Sequence, residues 1–136
     1  MVEPEADNLE SGRLNFERHG YGGRFIQAAV GPDAFQVDAY LRESGWERLG
    51  ILHADIQGAE VAMLADAREA FEQRRIDYLF LSTHSQRLHQ QCTDFLNSVG
   101  YPVLVSADFD HQTTSYDGFI LAVSPRLKPA EELGAR

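Results

Sequence analysis

The stretch Gly50-Ile-Leu-His-Ala-Asp55-Ile-Gln-Gly-Ala-Glu60 reads as a short strand that stops at a carboxylate, turns at a glycine and opens a helix on a second carboxylate. In open α/β sheets, ligands sit in the crevice outside the carboxyl ends of the strands, so an acid at Asp55 stands where such folds do their chemistry. Asp55 and Glu60 are therefore the first candidate site residues. Downstream, Val61, Leu64, Ala67 and Phe71 recur at helical spacing, predicting one helix over 60–74. Asp77-Tyr-Leu-Phe-Leu-Ser82 is a continuous apolar run, as expected for a strand covered on both faces. Leu88, Cys92, Phe95, Leu96 and Val99 then repeat as a helical stripe, with Gly100 where a C-terminal cap belongs.

Working upstream, 37–44 reads as a short helix, and 24–30 as a buried strand closed by Gly31-Pro32. Asp7 and Glu10 have capping-box spacing for a helix that Gly20 would stop. That helix has a thin apolar face, chiefly Leu9 and Phe16. Met1 to Pro4 reads as the tail of another strand, and Trp46 is expected to pack under the sheet. At the other end, 102–107 and 118–123 are strand-like. The ten polar residues from Asp108 to Asp117 are too few for a crossover helix, so these two strands should pair antiparallel. The pattern predicts an α/β domain over 1–124, its sheet mostly parallel with an antiparallel C-terminal edge, followed by a polar tail over 125–136.

With 136 residues, 43% of them hydrophobic, the chain can bury the core of one domain. A formal net charge of −9 argues against nucleic acid or an anionic membrane surface as the main partner, since both would repel it at long range. One cysteine, Cys92, excludes an internal disulfide framework, and no run approaches the roughly 20 apolar residues that span a bilayer. The expectation is a soluble cytoplasmic protein.

Several short motifs carry a resemblance: Val2-Glu-Pro-Glu5, Asn8-Leu9, Asn15-Phe16, Ala28-Ala-Val-Gly31, Asp55 to Glu60, Ser82-Thr-His-Ser85 and Gly100-Tyr101. In this order they resemble FkbM-type methyltransferases, class I S-adenosylmethionine-dependent enzymes mostly assigned to O-methylation. The resemblance implies a Rossmann-like class I methyltransferase fold of three layers. It implies that Glu3 holds the ribose of S-adenosylmethionine, that Gln27 and Ala28 lie beside the adenine, and that Asp55 stands near the methyl group and its acceptor. The acceptor would be a hydroxyl of a small molecule or sugar. The family's first strand and its glycine-rich turn would precede Glu3, so the chain resembles a shortened member, incomplete at the N-terminus. In that topology the absent strand is central. The strands at Val2 and Phe25 must then pair with the one at Leu52, borrow a partner chain or stay loosely attached, and such unpaired edges favour a homo-oligomer.

Each site residue also has a plainer reading. Asp55 orients or deprotonates an acceptor hydroxyl, or it caps the following helix; Glu60 assists, with or without a divalent cation, or it favours the positive helix end. His84 follows a strand end facing the same crevice and is a candidate general base, or it is a turn residue before a helix capped by Ser85. Asp108, Asp110 and His111 either contact a substrate or belong to a solvated loop. His89 shares a helix face with Cys92, which reads as core, and His53 reads as structural. Three functions stay open: an O-methyltransferase-like domain, a non-catalytic remnant or interaction module that does not bind the cofactor, and, without a nucleophile to support it, a metal-dependent hydrolase.

Overall fold

The computed structural model describes residues 1–110 and 116–127. Its elements, in chain order, are β1 (Val2–Glu3), α1 (Ala6–Arg18), β2 (Ile26–Gln27), α2 (Val37–Ser44), β3 (Leu49–Ala54), α3 (Glu60–Asp66), α4 (Arg68–Glu72), β4 (Ile76–Thr83), α5 (Gln86–Ser98), β5 (Val103–Ala107) and β6 (Gly118–Val123). They form an open mixed α/β structure. The main sheet has the order β3-β4-β6-β5, with β3 parallel to β4 and both contacts of β6 antiparallel. The predicted pairing of the last two strands is therefore present. Among the described residues, no helix is long and apolar enough to cross a membrane.

β1 and β2 pair with each other in parallel as a separate two-stranded sheet rather than joining β3. Only Ile26 and Gln27 of the expected 24–30 strand enter this pairing, and Val30 instead bridges to Phe35 beyond the Gly31-Pro32 turn. An apolar cavity of about 260 Å³ separates the two sheets, with Met1 and Val2 on one side and Leu49, Ile51 and Leu52 on the other. The carboxyl ends of β1, β2 and β3 meet at one end of this gap.

The core lies on one face of the main sheet. Leu79 and Leu81 of β4 and Ile120 and Ala122 of β6 are buried with Leu64, Phe71, Cys92 and Leu96 from the helices. Phe71 packs edge-on against both Phe95 and Tyr101. Successive strand side chains point to opposite faces, so the other face carries Ile51, Tyr78 and Val105, which are 62%, 41% and 44% exposed. The expected burial of β4 on both faces thus fails at Tyr78: the apolar run records β propensity and does not guarantee a second covering layer.

Three local expectations change. α1 begins after Glu5, which has no side-chain cap bond, so Asp7 lies inside the first turn and not at the cap. The Glu5 amide donates instead to the Glu3 carboxylate at 2.9 Å. The helix predicted over 60–74 breaks at Ala67 into α3 and α4. Asp38 of α2 explains the break, because its two carboxylate oxygens accept the amides of Glu69 and Ala70, each at 2.9 Å, and so satisfy the donors of a new helix start. Trp46 is half exposed, edge-on to Tyr40, instead of lying under the sheet. Gly20 and Gly100, with φ of 72° and 67°, do follow their helices as predicted.

Candidate functional site

β3 and β4 run parallel, with Ala54 opposite Leu81, so the residues that follow them emerge at the same edge. Asp55 leaves β3 there and His84 leaves β4. Between Asp55 and α3 the chain turns through Gln57 and Gly58, at φ of 52° and 103°. A left-handed backbone is strained for a non-glycine residue such as Gln57. This tight turn swings Glu60, the first residue of α3, back beneath the strand ends.

Three side chains then form a line. Glu60 is fully buried and its Oε1 accepts the Gly58 amide at 3.0 Å. The same oxygen lies 2.6 Å from His84 Nδ1, a hydrogen bond slightly shorter than the roughly 2.7–2.9 Å usual for charge-assisted ones. On the far side of the ring, His84 Nε2 is 3.1 Å from Asp55 Oδ1 and 3.9 Å from Asp117 Oδ1. The Asp55 contact is within ion-pair distance but off the hydrogen-bond line, so among the described residues Nε2 has no aligned hydrogen-bond partner. Burial works against a charge on this ring. The Glu60 hydrogen bond and the carboxylates of Glu60, Asp117 and Asp55 outweigh it and raise the His84 pKa above the ordinary imidazole value.

The helix-cap alternative for Asp55 is not what the structure contains. The residue before α3 is Ala59, with no side-chain cap bond, and Asp55 reaches His84 and accepts, at 3.4 Å, from the side-chain amide of Gln57. Glu60 does more than sit at a helix end, since it anchors the imidazole. Ser85 caps α5 by accepting the Leu88 amide at 3.2 Å, so the turn-residue reading describes the neighbour of His84 correctly.

A cavity of about 480 Å³ opens beside this line, walled by Glu3, Asn8, Ala28, Val30, Asp55 and Gln57. It brings together two of the three residues expected on the cofactor side with Asp55. Glu3 uses one carboxylate oxygen on the Glu5 amide. Gln27 is exposed and turned away, its amide 3.3 Å from the Pro4 carbonyl. In the loop after β5, Asp108 accepts from Gln86 at 3.3 Å, and His111 lies outside the described residues.

Sequence reasoning missed Asp117. Antiparallel pairing of Thr83 with Gly118 sets the residue before β6 beside the residue after β4. That register belongs to the fold, and no local sequence pattern marks it. Among the described residues no group of three or more His, Cys, Asp and Glu side chains could hold a metal ion. Chemically, the arrangement is an imidazole held by a buried carboxylate, with a half-exposed carboxylate between it and the cavity. It can accept and hold a proton from a hydroxyl bound there. Searches against family models, curated proteins and solved structures return no match for this chain.

Proposed function

We propose that this chain is an S-adenosylmethionine-dependent methyltransferase-like domain with a Rossmann-like fold that acts on a hydroxyl of a small molecule or sugar. The observation that carries the reading is the single cavity joining Glu3 and Ala28, at the ends of β1 and β2, to Asp55 at the end of β3. Its volume falls within the roughly 300–1,000 Å³ of small-molecule sites. The residues fit the cofactor in two respects. One oxygen of Glu3 is committed to the backbone, leaving the other to accept ribose hydroxyls. The small side chain of Ala28 leaves room for a ring at the cavity wall.

When bound, the cofactor supplies a methyl group to an attacking oxygen. The chain's own residues position that oxygen and take its proton. Asp55, facing the cavity, accepts the hydrogen bond of the acceptor hydroxyl. His84, once its Nε2 is deprotonated, is the stronger base of the pair, because the surrounding carboxylates raise its pKa. Glu60 holds Nδ1–H and so fixes Nε2 as the nitrogen that carries or releases the proton. Turnover should therefore increase as pH rises through the His84 pKa.

Calorimetry with S-adenosylmethionine and S-adenosylhomocysteine tests the proposal. Saturable binding that weakens in Glu3→Ala, with Asp55→Asn lowering turnover more than affinity, is the expected result. No binding at about millimolar ligand would sink the enzyme reading. A second reading, a non-catalytic interaction module, is favoured by the exposed apolar side chains Ile51, Tyr78 and Val105 on the open face of the sheet. Absence of cofactor binding together with concentration-dependent dimerisation in sedimentation would select it.

A further inference from the structure

At the opposite edge of the main sheet, an open surface cleft of about 770 Å³ is lined by Arg48, Arg74, Arg75 and Arg126, with Trp46 and Glu47 beside them. Four of the chain's 12 lysines and arginines converge there, in a protein of net charge −9. The topology assembles them from distant positions. Arg48 immediately precedes β3, Arg74 and Arg75 immediately precede β4, and the antiparallel β6 delivers Arg126 to the same edge.

The arginines are held largely by groups that do not cancel their charge. Arg75 donates to the backbone carbonyls of Glu47 and Trp46. Arg74 donates to the carbonyls of Phe71 and Val99 and lies over the Tyr101 ring at 5.4 Å. Arg48 and Arg126 share one carboxylate, Asp77, with Arg48 at 3.3 Å. Counting Glu47 as well, among the described residues four guanidiniums face two carboxylates, an excess of two positive charges. Each guanidinium offers five N–H donors, more than these bonds occupy.

We propose that this cleft binds a small phosphate-bearing molecule, a site distinct from the Asp55 cavity and independent of any methyltransferase activity. Two uncompensated charges suit a dianionic phosphoryl or pyrophosphoryl group better than a single carboxylate, and planar guanidinium forks match phosphate oxygens two at a time. Backbone acceptors fix the forks in advance, so little freedom is lost on binding. The surrounding negative charge disfavours a nucleic-acid polyanion and leaves a compact ligand as the occupant.

Titration calorimetry of the whole chain with inorganic pyrophosphate, with a dicarboxylate at matched ionic strength as comparator, tests this. Saturable binding of pyrophosphate that weakens with added salt and exceeds that of the dicarboxylate is expected. The double variant Arg48→Gln/Arg126→Gln should bind at least about tenfold more weakly. Asp77→Asn, which removes a competing carboxylate, should bind more tightly, so the two variants move affinity in opposite directions. No saturable heat at about 10 mM pyrophosphate, equal binding of the dicarboxylate, or unchanged affinity in both variants would overturn the proposal.

Discussion

Replacing Glu60 by Gln isolates the charge that holds His84 while keeping the shape of the side chain. The amide oxygen can still accept from the Gly58 amide, at 3.0 Å in the native protein, and from His84 Nδ1, at 2.6 Å. What disappears is charge assistance. Hydrogen bonds to charged groups contribute about 1.5–3 kcal/mol and neutral ones about 0.5–1.5 kcal/mol, so the loss should be about 1–1.5 kcal/mol. Relief of the burial of a full charge at Glu60 makes that an upper figure. The pH dependence gives the test its sign. The folded-state pKa of His84 is raised, so its stabilisation is full below the unfolded-state pKa and is lost as pH rises through the folded value. Urea unfolding of both proteins should therefore show the largest stability difference in mildly acidic solution and a shrinking one in alkaline solution. The imidazole titration followed by NMR should move down in the variant. An equal stability difference at both pH extremes, or an unmoved titration, would refute the coupling of Glu60 to His84.

Three further outcomes check the packing around the site. Asp38→Ala removes the acceptor of two amides at the start of α4 and should cost about 1–2 kcal/mol in urea unfolding, with the loss of helix signal modest because α4 is short. Gly118→Ala would force a Cβ against Thr83 Oγ1, 2.9 Å from His89 Nδ1 and 3.0 Å from Phe109 Cε2. It should disrupt the buried Thr83–His89 hydrogen bond and the half-buried one from His89 to Ser106, and cost about 1–3 kcal/mol, read as a lowered thermal midpoint. Burial, with Glu60 adding to it, pushes the Cys92 thiol up to about 12, so a thiol reagent at neutral pH should label the native protein negligibly and the urea-unfolded protein fully.

Much of the architecture was legible because it is written in local pattern. The Leu88-to-Val99 stripe with Gly100 specified α5, and the ten-residue connection from Asp108 to Asp117 specified the antiparallel return of β6. Asp55 and His84 were recognisable as neighbours because parallel strands end at one edge. Other features depend on groups far apart in the chain. The break at Ala67 needs Asp38 from another helix, and the separation of β1–β2 from β3 is a matter of strand pairing that no single segment encodes. The same holds for the sites. Periodicity and turn residues determine which element forms, whereas the convergence of Glu60 on His84, of Asp117 on the same ring, and of four arginines at the opposite edge follows from strand order, register and the strained Gln57 turn. Those are settled by long-range packing, where side chains from across the chain compete for one core.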